Sequence, residues 1–525
     1  MPSAMNPLKK AEITKILTNR FADDPFTSIK QLPHPHQLKD AQKAARLIAA
    51  AIQNNQNILV VGDYDVDGVT SCVIMEKFFH LISYQNARYI IPNRFSDGYG
   101  INPLIVEKNP ADLIITVDNG ISAFETGEYC KQNGITLIIT DHHTIKDALP
   151  TADAIINPQQ TDCPFPQKEI CGASLAWYLC NAIKLEMGLS IQLIGLLDLV
   201  SIATIADMMP LKAVNKLLVK AGLKQFITSN APANTILKSH LKSTHITAQD
   251  IAFSIAPLIN SAGRMRDGDI AAKFLLSTDL AQAQAHYQTL STLNQARKNT
   301  TQEILQSAQK SLLIGENCVI AHGTHWHEGV LGIVAANLSA LYQRPAIVLS
   351  QKDNTFKGSA RSYGDTNLIE AIKMQAGFLT RFGGHAQAVG LELEKENLEP
   401  FFASLQNTPM PKISQISTEE ILGVLDLADI DTELLEILEH FEPYGQGNPQ
   451  PSFSCHQLKV TATKTFKSLH QQLELSSTSW KQKAMLFFCK EFYQTNDAVD
   501  ISFYLQREPD NSPLMVLKTI TKCPL

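Results

Sequence analysis

Five short apolar runs in the first 160 residues each stop abruptly in polar or charged side chains. They are Ile58-Leu59-Val60-Val61, the ARYIIPNR segment ending at Arg94, ADLIITVDNG (111–120), GITLIITDHH (134–143) and ADAIINP (152–158). Helical patterns lie between them, such as GVTSCVIMEKFFHLI after the first run and ISAFETGEYCKQN after Gly120. Near-continuous apolar strands joined through helices predict a parallel sheet covered on both faces. Sheets of that kind bind ligands outside the carboxyl ends of their strands. The chemistry in this stretch falls there: Asp63, Asp65 and Asp67 after one run, Asp118 after another, and Asp141-His142-His143 after a third. A long apolar helix, IQLIGLLDLVSIATIADMMPL, then delivers Asp207 near its end.

The segment GDYDVDG (62–68) places three acids at alternate positions and follows them with a glycine. D-x-D-x-D-G also opens a calcium loop, but that loop needs a Glu at its twelfth position, which here is Ile74, and a helix in front of it. A solvated Asp-Gly turn explains the glycine without explaining three acids. Asp118 before Asn119-Gly120 reads equally well as a turn residue. Asp141 before two imidazoles has no turn logic, and Asp207 lies in a helix too apolar to hold an unpaired charge. Carboxylates with one or two imidazoles at the strand ends of one sheet form a mixed oxygen and nitrogen donor set. That set suits Mn²⁺ or Mg²⁺, and its lack of thiolates speaks against structural zinc.

The 525 residues leave room for about three domains. Hydrophobic content of 44% and charged content of 18% describe an ordinary globular protein. With a net charge of −6, any surface for nucleic acid must be local or completed by bound metal. Nine cysteines without a C-x-x-C pair read as cytosolic thiols. Neither a signal peptide nor an apolar run near ~20 residues is present, so a soluble, cytoplasmic protein with no membrane contact is expected.

GDYDVDG, VDNG and the DHH triplet, in this order, resemble the DHH phosphoesterases, and within them the RecJ family of single-strand-specific exonucleases. NRFSDGYG (93–100), ADMMPL (206–211), SAGRMRDG (261–268), WHEGVLGIVA (326–335), KGSARS (357–362), FGGHAQAVG (382–390) and PYGQGNP (443–449) extend the resemblance over roughly residues 40 to 525. It implies that Asp63, Asp65, Asp67, Asp118, His142 and Asp207 hold two divalent ions, Mn²⁺ or Mg²⁺, with His143 beside them. Asp118 or Asp67 would bridge the ions. Catalysis would rest on Asp65, Asp67, Asp118, His142, His143 and Asp207, without a residue nucleophile, since no G-x-S-x-G or Walker A segment occurs. It further implies that Ser359 and Arg361, with Arg94, grip the 5′ end of a strand, and that Arg264 and His385 lie along the scissile phosphate. The chain departs from the family at Ala336-Asn337, where many relatives have Ser-Arg, and at Glu328 and Gln387.

KGSARS and RFGGHAQAVG read as small-residue loops that let backbone N–H groups, among them those of Gly383 and Gly384, approach a phosphate while arginine supplies a bidentate bond. The histidines of HGTHWH lack the spacing of a metallo-hydrolase site. His327 is therefore expected on substrate phosphate and His322 in a structural role. The expected fold is α/β: a parallel-sheet DHH domain with its N-terminal lead (1–284), a connecting helix (285–317), a smaller α/β DHHA1-type domain (318–410) and an OB-like β-barrel (411–525). Five β-like runs form the barrel, which would bind single strands through a basic groove and stacking rings. Phe466, Phe487, Phe488, Phe503 and Tyr504 are the rings considered, with lysines 459, 464, 467, 481 and 483 as the local positive patch.

The expected activity is 5′→3′ hydrolysis of single-stranded DNA to 5′-mononucleotides in repair and recombination. A phosphodiesterase of short oligonucleotides or cyclic dinucleotides is the runner-up, and an inactive nucleic-acid-binding relative the third reading. A monomer is expected, with a single-strand-binding protein and a helicase as further partners. With a short lead and no further domain read after the barrel, partner contacts carried in such segments are not expected.

Overall fold

Ile58–Val61 forms β1, and all four side chains are buried. It sits inside a five-stranded parallel sheet with β2 (Ala87–Ile90), β3 (Leu113–Val117), β4 (Thr136–Thr140) and β5 (Ala154–Ile156), in the order β2-β1-β3-β4-β5. Strands of Ile, Leu and Val without alternation need apolar cover on both sides. The Val66–Leu81 and Gly172–Glu186 helices, apolar around most of their circumference, supply part of it. Leu59, Val61, Ile114, Leu137 and Ile139 belong to a core completed by Ile101, Val106 and Ile121. From β1 the chain moves to β2 on one side, whereas β3 lies on the other. The order therefore reverses between β1 and β3, and a crevice opens at their carboxyl ends.

A computed structural model of the chain describes residues 6–145, 148–241, 245–412, 421–466, 469–477, 480–487, 489 and 491–523. Lys467 and Phe488, both considered for strand binding, lie outside them. The chain divides into two compact units assembled from separate stretches: Met1–Pro257, Ala271–His286 and Glu419–Leu525 in one, Leu258–Ile270 and Tyr287–Thr418 in the other. The polar stretch expected to be helical is the 29-residue helix Leu280–Ala308. Among the described residues no helix is long and apolar enough to cross a membrane. All nine cysteines are free thiols, seven of them buried.

The second unit carries a six-stranded sheet of β6 (Leu312–Ile314), β7 (Val319–Thr324), β8 (Ala346–Lys352), β9 (Thr355–Arg361), β10 (Arg381–His385) and β11 (Ala388–Glu394). Its order is β10-β11-β9-β8-β7-β6, antiparallel except for β7–β8. The helix Glu328–Tyr342 packs its Val330, Val334 and Leu338 on one face. Leu368, Ile372, Phe401 and Leu405 cover the other. One expectation fails here: KGSAR and FGGH are strand ends of β9 and β10, not loops. Phe356 and Ala360 alternate inward as strand residues must, but glycine, serine and alanine show too little apolar contrast for the period to be visible.

The remaining segment closes into a five-stranded barrel. β13 (Ser452–Phe466), β14 (His470–Ser477), β15 (Trp480–Leu486), β17 (Pro513–Lys522) and β16 (Ala498–Arg507) pair in that order, and β16 returns to β13. A short strand, β12 (Ile421–Val424), lies parallel to β13 outside the ring and was not foreseen. Phe453, Val460, Leu473, Leu475, Ile501 and Phe503 fill the barrel. Phe503 thus leaves the set of possible stacking rings. Its ring packs against Phe453 at a centroid distance of 6.1 Å, because inward positions of a small barrel must be filled by side chains. Phe487 is exposed beside His470, and Phe466 carries the Lys464 ammonium 5.1 Å from its centroid.

Candidate active site

The three alternating acids after β1 take three local roles. Asp65 caps the Val66–Leu81 helix, its Oδ1 accepting from the N–H groups of Asp67 (3.0 Å) and Gly68 (3.2 Å). Asp63 accepts from the Tyr64 N–H at 2.7 Å. Asp67, two residues after that cap, is buried, and both of its oxygens are held by the start of another helix: Gly172 donates at 2.6 Å and Ala173 at 2.7 Å. A Cβ on Gly172 would stand 2.6 Å from the Asp118 Cβ and 2.9 Å from its Oδ1, so no larger residue fits where the two carboxylates meet.

Asp118 follows β3 with φ of 62°, an uncommon conformation that turns its carboxylate toward the crevice. Its neighbour Asn119 fixes the turn, donating to the carbonyls of Val61 and Val117 at 2.9 Å each and accepting from the Ile101 N–H at 3.1 Å. His142, after β4, brings Nε2 to 3.1 Å from Asp118 Oδ1 and to 3.6 Å from an oxygen of both Asp67 and Asp207. Asp207 closes the C-terminal end of the Leu197–Ala206 helix. Asp118 Oδ1 and Asp207 Oδ2 are buried and accept no hydrogen bond among the described residues. Three trios bring one donor atom per residue within 4.8 Å of one another: Asp67, His142 and Asp207; Asp63, Asp65 and Asp118; and Asp118, His142 and His143.

Burial, then the neighbouring acids, pushes Asp63 and Asp118 well above the usual carboxylate range. The same two causes bring Asp67 to about 6 and Asp207 to about 8. Burial, then His143, lowers His142 to about 4. His143 moves the other way, to about 9: burial opposes its charge, but the hydrogen bond and charge of Asp141 outweigh it. Asp141 holds the His143 Nδ1 at 2.7 Å and backbone N–H at 3.0 Å with one oxygen, and the Ile121 N–H at 2.9 Å with the other. Committed to protein donors on both oxygens, it orients His143 rather than facing the crevice. Arg94 stands over the Tyr64 ring at 5.2 Å, and Tyr64, Tyr99 and His143 meet edge to face at 6.3 Å each.

The backbone donors of Gly172 and Ala173, Asn119 and the tyrosine pair were not foreseen. Only CGAS before an apolar helix, a sequence that could start a helix tightly against a neighbour, offered a signal for the first.

In the second unit the remaining candidates gather on one sheet and one helix start. Across the strands Gly383 faces Gly390, which faces Ser359; His385 faces Ala388, which faces Arg361. Arg361 Nη1 donates to Ser359 Oγ at 2.8 Å. His327 caps the Glu328–Tyr342 helix, its Nδ1 accepting from the Gly329 N–H at 3.1 Å, and Arg264 donates to the Gly329 carbonyl at 3.3 Å. One turn on, a Cβ at Gly332 would reach within 2.5 Å of Arg361 Nη2, so this glycine makes room for the guanidinium. Gly384, with φ of 150°, lies between the two rows. His322 meets Phe356 edge to face at 5.6 Å.

Comparison with known proteins agrees with this architecture. Family models match at residues 57–204 (DHH family, N-terminal domain), 315–408 (DHHA1 domain) and 422–509 (RecJ OB domain). The single-stranded-DNA-specific exonuclease RecJ of Escherichia coli is 33% identical over 474 residues, which cover 83% of this chain and 81% of that protein. The protein of the same name from Haemophilus influenzae is 31% identical over 455 residues, covering 81% and 79%. Among solved structures, RecJ of Thermus thermophilus in complex with Mn²⁺ superposes with a TM-score of 0.81 at 26% identity, over 96% of this chain and 74% of that one. With relatives this similar over four-fifths of both lengths, the chain belongs to the RecJ family of exonucleases.

Proposed function

We propose that the protein is a divalent-metal-dependent exonuclease that degrades single-stranded DNA from its 5′ end to 5′-mononucleotides. The observation that carries the reading is the cluster at the carboxyl ends of β1, β3 and β4: the buried Asp67 and Asp118 and the half-buried Asp207 converge on one imidazole, and two of their buried oxygens accept no hydrogen bond among the described residues. Buried carboxylates keep such geometry when cations complete it. Asp63, Asp65, Asp67, Asp118, His142 and Asp207 offer the donors for two ions, and oxygen with imidazole suits Mn²⁺ or Mg²⁺. The relatives solved with Mn²⁺ and Mg²⁺ support the same choice. When bound, the ions supply Lewis-acid neutralisation of phosphoryl oxygens and acidification of water.

The chain's own residues do the rest. The helix start at Gly172 and Ala173 fixes both oxygens of Asp67, one of them 3.6 Å from His142 Nε2. Asn119 holds the β1 and β3 ends together, so that Asp118 keeps its place beside Asp67. Asp141 keeps the His143 side chain protonated on Nδ1, which makes it a hydrogen-bond donor and cation beside the crevice, suited to a phosphoryl oxygen or a leaving group. In the second unit, Arg361, braced by Ser359 and admitted by Gly332, presents the bidentate group that favours a terminal phosphate over an internal one. Arg94, Arg264, His327, Gly383, Gly384 and His385 are proposed as further contacts along the strand. Cytoplasmic action as a monomer, alongside a single-strand-binding protein and a helicase, completes the reading.

Digestion of 5′-labelled and 3′-labelled single strands, a duplex and a dinucleotide with Mn²⁺ or Mg²⁺, beside Asp67→Ala, tests it. Label released first from the 5′ end of single strands, and lost in Asp67→Ala, is expected. Preferred cleavage of the dinucleotide or first release from the 3′ end would overturn the substrate. Activity retained in Asp67→Ala would overturn the metal site.

A further inference from the structure

Between Asp207 and Asp250 the chain has no acidic residue, although acids make up 51 of 525 residues and about four would be expected in such a length. The same stretch carries six lysines: 212, 216, 220, 224, 238 and 242. Lys242 lies outside the described residues. Lys238 is spent on structure, since its ammonium donates to the carbonyls of Ile227 (2.9 Å) and Ser229 (2.6 Å) at the C-terminal end of the Ala213–Thr228 helix. The other four recur every fourth residue, from the N-cap at Lys212 along that helix. Four residues advance a helix by ~6 Å and turn it by about 40° beyond a full circle. The lysines therefore make a gently winding ridge ~18 Å long.

The opposite side of the helix, with Val214, Leu218, Val219 and Phe226, is buried. Lys212, Lys220 and Lys224 are exposed, while the Lys216 ammonium lies 2.9 Å from the centroid of the Phe21 ring. Asp24 is the acid whose charge reaches Lys216 and Lys212. The turn Ile29–Gln31, which packs against the helix, adds Lys30 rather than an acid. The ridge starts five residues after Asp207, and its helix packs along the Leu197–Ala206 helix that Asp207 terminates. It therefore leads away from the acid cluster within the same unit.

We infer that this ridge is a track for the phosphates of a single DNA strand, engaging nucleotides beyond those held at the acid cluster. Evenly spaced point charges match a regular polyanion, and phosphates follow one another at about 3.4 Å in a stacked strand, so ~18 Å spans about five of them. Lysine, unlike arginine, brings no planar fork, and the contact is sequence-neutral. In a chain of net charge −6, this run of positive charge is, beside the lysines of the barrel, a local positive surface of the kind a polyanionic substrate needs. The inference rests on the proposed action on single-stranded DNA.

The test uses the full chain in chelator, with 30-nucleotide and 6-nucleotide strands, measuring affinity against salt for wild type, Lys220→Ala with Lys224→Ala, and the matching Arg pair. Losing two phosphate contacts should lower the salt slope by about 1.4, equivalent to roughly 25-fold weaker binding of the 30-mer at 0.1 M salt. The Arg pair should restore it, and binding and metal-supported cleavage of the 6-mer should not change. Equal slopes for wild type and the Ala pair would overturn the track. So would an Ala pair that loses binding to an oligoglutamate peptide while keeping the 30-mer, since the ridge would then serve an acidic protein segment. Wild type that binds the 30-mer nowhere would overturn the nuclease reading itself.

Discussion

Replacing Asp118 by Asn should make the protein more stable without metal and inactive with it. Asp118 is buried between Asp67 and His142, one oxygen accepts no hydrogen bond, and its neighbours are acids. An uncompensated buried polar group costs about 1–3 kcal/mol, more if charged. Asn keeps the volume, tolerates φ of 62° and removes the charge. In chelator, Asp118→Asn should therefore gain about 1–3 kcal/mol, read as several degrees in melting temperature. Mn²⁺ at a hundredfold excess over its dissociation constant should stabilise wild type by about 2.7 kcal/mol and the variant far less. The variant's advantage in chelator should therefore shrink by about 2 kcal/mol in Mn²⁺, the trade expected where a site is built for function. Differential scanning calorimetry under both conditions reads this directly. A variant that melts below wild type in chelator, or that gains as much from Mn²⁺, would refute the reasoning.

Three further outcomes follow from other contacts. Gly172→Ala forces a Cβ to 2.6 Å from Asp118 and should cost about 1–3 kcal/mol while weakening Mn²⁺ binding, measured by titration of a paramagnetic signal. Arg361→Lys keeps the charge but loses the fork, so the preference for 5′-phosphorylated over 5′-hydroxyl strands should fall about tenfold, with kcat on the unphosphorylated strand little changed. Burial holds Lys216 down to about 8, only partly offset by Asp24. The unfolded chain binds its proton up to about 10.4, so the group's cost is fully present below pH 8 and disappears as pH rises toward 10.4. Lys216→Met should raise stability at pH 7 by about 1 kcal/mol, and the gap to wild type should close by pH 10.5 in denaturant melts.

Much of the candidate site could be read from strand ends, because burial on both faces leaves β1, β3 and β4 no charged residue, only aliphatic side chains and threonine, until the chain leaves the sheet. An acid or imidazole at that point is conspicuous, and Asp63, Asp65, Asp67, Asp118 and His142 stand out as candidates in this way, which the fold brings close together. Division of labour among them was not legible. Asp65 as a helix cap, Asp141 as the holder of His143, and the backbone donors of Gly172 and Ala173 depend on folded geometry, the last on contacts made a hundred residues apart. The strands at KGSAR and FGGH were missed because small residues hide the two-residue period. In the barrel, by contrast, five β-like runs were enough to give the strands, yet sequence could not separate the buried Phe503 from the exposed Phe487.

Anomalous scattering from crystals grown with Mn²⁺ most directly tests whether the acid cluster is a two-metal cage. Two peaks are expected, one ligated from Asp67, His142 and Asp207 and one from Asp63, Asp65 and Asp118, with a carboxylate of Asp118 or Asp67 shared between them. A single ion, or ions seated away from these residues in a protein that still degrades single strands, would contradict it.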